Sequence, residues 1–251
     1  MTVEVRRPPA LQTPVKTWRP LWWVYPSWVV TALSAFAIYA LFAILDSHRD
    51  GAIGPYLSPF YSPHVVIGAI PISPAFWVAW VPLGFRVSCY YYRKAYYRSF
   101  AWQPPSCAVS DRPGGYQGET RFPFVFNNFH RYFLYITLVV LGFLWFDALS
   151  AFDFTGHFGI GVGSIIMLAN VSLLTGYTFG CHALRNLVGG GVNCFSCSLA
   201  DKCKHGGWRI VSFLNGRHPT WAWFSMISVA ITDIYIRLLI HGVFADPHWI
   251  S

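Results

Sequence analysis

Apolar residues in this chain fall in long unbroken runs rather than on one helical face or in strict alternation. A helix needs roughly 20 apolar residues to cross a hydrocarbon layer about 30 Å thick. Five runs meet that length and predict helices over about 22–45, 64–91, 122–149, 158–184 and 220–244. The expected fold is an all-α integral membrane protein, a five-transmembrane-helix bundle forming one membrane domain over residues 22–250. Trp22, Trp23, Tyr25 and Trp28 form an aromatic belt where the first span begins. Pro71, Pro74 and Pro82 interrupt the second span, predicting either a packing kink or a cavity. Gly159 and Gly163 permit close helix contact at the fourth.

Composition agrees with this class: 55% of residues are hydrophobic and 11% charged, where soluble domains carry about 25% charged residues. The net charge of +8 is sorted by loop. Residues 1–21 form a basic, Pro-rich arm with Arg6, Arg7, Lys16 and Arg19 against Glu4. The arm cannot bury a core and is expected on lipid headgroups or a partner. It leads into an apolar run too long for the core of a cleavable signal peptide. The loop after the first span is net acidic, through Asp46 and Asp50 against Arg49, and the loop after the second is net basic. Asp147 and Asp153 follow the third span, and Arg185, Lys202, Lys204, Arg209 and Arg217 against Asp201 follow the fourth. Asp246 lies in the tail. The sign alternates at every crossing, which places the N-terminus in the cytoplasm and the C-terminus outside. The basic charge is therefore topological, and no nucleic-acid partner is expected.

Chemistry concentrates in the cytoplasmic loop 181–218. Cys181, His182, Cys194, Cys197, Cys203 and His205 all fall within its first part. Dense soft and borderline ligands suggest a metal. Disulfides are rare in a reducing compartment. Unconnected buried thiols describe Cys89 and Cys107 better than this cluster. Two metal readings stay open: a structural zinc folding the loop, and an iron–sulfur centre of all-Cys or Rieske type. Gly189, Gly190 and Gly191 would let the backbone return so that Cys181 and His182 meet the later cysteines. Only Cys203-x-His205 resembles half of an ordinary Rieske box. Haem b is the competing cofactor, with His130 and His182 at one depth as axial ligands.

Polar groups within the spans form a second candidate site. Asp233 and Arg237 stand one turn apart in the last span and can pair. Buried membrane charges are costly and mark function or a structural ion pair. Arg217, His218, Asp233, Tyr235, His130 and Arg131 are the candidates for orienting a quinone or supplying protons.

The segments Cys181-His182-Ala183-Leu184-Arg185-Asn186-Leu187-Val188-Gly189-Gly190, Leu214-Asn215-Gly216-Arg217-His218 and Ile231-Thr232-Asp233-Ile234-Tyr235-Ile236-Arg237 resemble one family. It is the cytochrome b-like membrane-anchor subunit of actinobacterial, mycobacterial-like succinate dehydrogenases. The resemblance implies a multi-pass protein of the bacterial plasma membrane, docked to flavoprotein and iron–sulfur subunits and passing electrons to a quinone. It also implies a Rieske-type [2Fe–2S] cluster in place of haem b, held by four of the six loop candidates. A small extra membrane subunit is a further candidate partner.

Overall fold

The structure is a computed structural model describing residues 23–46, 51–64, 73–100, 120, 124–191 and 193–250. The N-terminal arm, the start of the expected second span and most of the loop after α3 lie outside the described residues. Helix α1 (Val24–Leu45) is an apolar run about 33 Å long at 1.5 Å per residue, enough to span a membrane. A short hairpin of β1 (Ala52–Ile53) and β2 (Tyr56–Leu57) follows, with a 3₁₀ turn at Pro59–Tyr61. Helix α2 (Pro74–Ser88) starts where the Ser73 hydroxyl accepts from the Ala75 amide at 3.3 Å, with a proline in its first turn. It ends at Cys89, whose ψ of 132° is extended, and the chain turns into α3 (Tyr90–Phe100).

A 3₁₀ segment, Phe124–Phe129, leads into α4 (His130–Ser150). Strands β3 (Asp153–Phe154) and β4 (His157–Gly161) reverse the chain into α5 (Val162–Phe179). The backbone extends again at Cys181, with ψ 138°, and α6 (His182–Gly189) and α7 (Leu199–Asn215) cross that end of the bundle. Helix α8 (His218–Ile240) returns, and β5 (His248–Ile250) pairs antiparallel with β4 in the order β3-β4-β5. The molecule thus has a helical face, made by α3, α6 and α7, and a sheet face at the opposite end.

Among the described residues, four helices are long and apolar enough to cross a membrane: Val24–Leu45, Val125–Ser150, Val162–Phe179 and His218–Ile240. The expected second span is represented by α2, whose 15 residues cover about 22 Å. Three expectations are corrected. The expected fourth span, 158–184, contracts to 162–179, because residues 157–161 pair as a strand and the helix stops before Gly180. Two small antiparallel sheets accompany the expected helices. The Cys/His segment 181–218, expected as a loop, is largely the two amphipathic helices α6 and α7.

Close packing rests on small residues at helix crossings. A Cβ on Gly84 would stand 2.1 Å from the Phe133 ring, so a side chain there would push α2 from α4. Polar anchors hold the sheet face. The Asp246 carboxylate accepts from the Tyr56 hydroxyl at 2.6 Å, from the Tyr235 hydroxyl and from the Gly163 amide at 3.1 Å. Burial, then the bond to Asp246, pushes the Tyr56 hydroxyl up to about 12, so it stays a donor at neutral pH. Asp233 is 0% exposed and accepts from Arg237 Nε at 2.7 Å and from the Tyr39 and Ser58 hydroxyls. Arg237 also pairs with Asp46. This network ties α8 to α1 and to the loop after it.

Removing one partner of a buried ion pair strands the other charge, at about 3–5 kcal/mol. Asp233→Ala is expected to destabilise the detergent-purified protein by that order, seen as a lower thermal midpoint, and Asp233→Asn, which keeps an acceptor, by less. Equal midpoints for wild type and Asp233→Ala in a thermal-shift series would contradict this anchoring role.

Candidate functional site

Four helix junctions meet at the helical face. Cys89 lies at the α2–α3 break and Cys181 at the α5–α6 break, while His130 and His218 are the first residues of α4 and α8. Cys89, Cys181 and His218 are 2%, 1% and 8% exposed. The four side chains form two contacts: His130 Nε2 lies 3.0 Å from Cys181 Sγ, and His218 Nε2 lies 3.4 Å from Cys89 Sγ. The Phe85 ring stacks on His130 at 4.7 Å, and the Tyr177 ring on His218 at 4.9 Å. Both thiols and both stacking rings belong to one buried cluster.

Ser88 sets the orientation of His130. Its single hydroxyl proton goes to the Gly84 carbonyl oxygen at 2.6 Å, so its oxygen accepts from His130 Nδ1–H at 2.9 Å. That leaves the Nε2 lone pair directed at Cys181, with the other ring nitrogen donating, as in metal-ligating histidines. His218 Nδ1 is buried without a hydrogen-bond partner among the described residues. Beside these groups lies a cavity of about 300 Å³, lined in part by Cys89, Asn127, His130, Arg131, Asn186 and His218.

Among the described residues, no three His, Cys, Asp or Glu side chains converge on one point as a mononuclear site requires. A two-iron centre of Rieske type needs two ligands at each iron, two Cys at one and two His at the other. Two buried thiols, the half-buried His130 with its lone pair fixed and the buried His218 with an unpartnered nitrogen, match that donor set.

The loop candidates lie elsewhere. Cys194 and Cys197 are joined as a disulfide with Cα atoms 5.6 Å apart, a separation the i,i+3 turn supplies. Cys203 is an exposed free thiol on α7. His205 stacks on Phe195 at 4.8 Å and on Trp208 at 5.9 Å. His182 is exposed at the start of α6 and lines both this cavity and a smaller one of about 190 Å³ beside Arg185 and Trp208. Of the six, only Cys181 enters the buried group.

The quinone and proton candidates divide between the ends. His130, Arg131 and His218 line the cavity, and exposed Arg131 donates to Asn186 Oδ1 at 2.8 Å. Arg217 is exposed and lies 4.4 Å over the Phe213 ring. Asp233 and Tyr235 sit about four turns along α8, about 22 Å from His218, in the sheet-face network. Cys89, which the sequence presents as an unconnected buried thiol, stands alone in an aromatic stretch. The signal that identifies it is positional: it ends helix α2 on the side where α4 begins at His130, α5 gives way to Cys181 and α8 begins at His218.

Comparison with known proteins places these features in a lineage. A family model described as actinobacterial succinate dehydrogenase subunit SdhC matches residues 24–242. The chain is similar to a chain in a solved structure titled "Mycobacterium smegmatis Sdh1 complex in the apo form". The two share 37% sequence identity at a TM-score of 0.83, covering 98% of each chain. No curated protein matches.

In the purified protein, thiol alkylation followed by peptide mass mapping is expected to label Cys203 at once. Cys89 and Cys181 should be labelled only after denaturation, and Cys194 and Cys197 only after reduction. Rapid native labelling of Cys89 or Cys181 would refute the buried arrangement.

Proposed function

The chain belongs to the actinobacterial succinate dehydrogenase SdhC family, and from that premise we propose that it docks the flavoprotein and iron–sulfur subunits at its helical face and passes their electrons to a quinone there. It is a membrane subunit of the succinate dehydrogenase complex. The basic residues of α6 and α7 argue for the helical face being cytoplasmic, with Asp46, Asp153 and Asp246 on the outer side. On this reading α2, with residues before it, supplies the fifth span, the N-terminus is cytoplasmic, and the protein lies in the bacterial plasma membrane.

One observation carries the redox part of this reading: two cysteines and two histidines from four separate helix junctions come together as two Cys–His contacts, three of the four residues buried. We assign Cys89, His130, Cys181 and His218 as the residues that would hold a Rieske-type [2Fe–2S] cluster, replacing the loop set expected from spacing. When bound, such a group supplies a one-electron relay between a soluble donor and a membrane acceptor. The protein's own residues prepare the place. Ser88 fixes the His130 tautomer, and Phe85 and Tyr177 hold the imidazole planes. Quinone reduction takes up two electrons and two protons, so the acceptor has to sit near the helical face and its water. Arg131 and Asn186 at the cavity mouth present N–H groups to which quinone carbonyls can bind.

Two experiments on the purified complex test this. Low-temperature EPR with iron and sulfide analysis is expected to give a Rieske signal that disappears in Cys89→Ala and Cys181→Ala and persists in Cys197→Ser. A haem α band on reduction, or zinc without iron in this subunit, would overturn the assignment. Arg131→Ala is expected to raise the quinone KM about tenfold, the worth of roughly 1.4 kcal/mol, while succinate oxidation with a soluble dye acceptor is unchanged.

A further inference from the structure

Arg86 lies beneath the buried Cys/His group, one turn before Cys89 on α2. Its guanidinium donates to the Tyr92 hydroxyl at 2.7 Å, to the Ala222 carbonyl at 3.2 Å and to the Ser225 hydroxyl at 3.0 Å. It lies over the Tyr177 ring at 4.7 Å and the Tyr92 ring at 5.5 Å. Each of these partners is neutral. Among the described residues the carboxylate ion pairs belong to Arg237 at the other end of the bundle, and no carboxylate pairs with Arg86. Tyr92 passes its own proton to the Ala222 carbonyl at 2.6 Å, so it can only accept from the arginine.

An arginine held by neutral groups among buried rings keeps its full charge, because guanidinium does not deprotonate in proteins. Such a charge is costly unless something nearby is negative. Its ionisable neighbours are Tyr92 and Tyr177, both neutral phenols, then Cys89, packed in one cluster with those rings, and His218, in contact with Cys89. Tyr177 bridges them, with its ring beneath the guanidinium on one side and stacked on His218 on the other. A histidine adds no negative charge. Among these neighbours, negative charge can sit on the Cys89 sulfur and whatever it binds, and it grows when that unit gains an electron.

We propose that Arg86 is the positioning residue that sets the reduction potential of the centre held by Cys89, His130, Cys181 and His218, by supplying the fixed positive charge that favours its reduced form. This rests on the ligand assignment made above. The step is a one-electron reduction: the docked iron–sulfur subunit is oxidised by one electron, the centre gains it, and no bond to Arg86 forms or breaks. Ser225 and the Ala222 carbonyl on α8 hold the guanidinium in place, so its distance from the centre depends on the α2–α8 contact.

The test is a potentiometric EPR titration of the purified complex, with iron and sulfide analysis of each sample. Arg86→Gln removes the charge and keeps a hydrogen-bonding side chain. Its midpoint is expected to fall by about 60 mV or more, a tenfold shift in a one-electron equilibrium, with cluster content unchanged. Arg86→Lys keeps the charge and is expected to restore most of the shift. Ser225→Asp leaves the arginine in place and neutralises it with a carboxylate, so it should lower the midpoint in the same direction even if Arg86→Gln does not assemble. A midpoint equal to wild type in a fully loaded Arg86→Gln or Ser225→Asp complex overturns the proposal while leaving the ligand assignment standing. A wild-type complex with no such signal overturns the assignment, and this role for Arg86 with it.

Discussion

The structure turns on two places where helices stop. At Cys89 and Cys181 the backbone leaves the helical region for ψ values of 132° and 138°. A residue inside a membrane helix points to lipid or to a neighbouring helix, and its amide is committed to the helix. A residue at a break can turn its side chain along the bundle axis. Both breaks carry cysteine, and both fall where a neighbouring helix starts with histidine. If either helix continued through its break, its thiol would rotate away from the imidazole that now contacts it.

The two ends of the bundle are built on opposite principles. At the sheet face Asp233 pairs with Arg237, Arg237 with Asp46, and Asp246 accepts from two tyrosine hydroxyls and an amide. Such pairing suits a clamp. At the helical face Arg86 has only neutral acceptors among the described residues, a buried imidazole nitrogen has no partner among them, and two thiols sit in the core. A buried unsatisfied group costs about 1–3 kcal/mol, so such groups persist where something outside the chain completes them. The paired end can be read as the support that lets the other remain incomplete.

Much of this organisation is legible in the sequence. Long apolar runs mark the helices, and the alternation of Arg/Lys-rich and Asp-rich loops orders their ends. The small sheets are not legible, because each strand is only two to five residues long. The extension of Gly159–Gly161 also depends on pairing with the C-terminal tail, a contact between residues far apart in the chain.

The site was half legible, and the reason is physical. Ligand density along the chain favours the 194–205 segment, yet density measures what one loop can gather. A bundle gathers residues by depth. Cys89, His130, Cys181 and His218 are scattered over the sequence, but each stands at a helix boundary on the face where the basic residues of α6 and α7 lie. Local spacing carries no trace of this arrangement. The charge alternation carries part of it, since it assigns the ends of the apolar runs to one face or the other. In a membrane protein the candidate ligands are therefore the Cys and His residues that share a boundary, and a Cys-x-x-Cys turn outside the membrane is left free to close on itself.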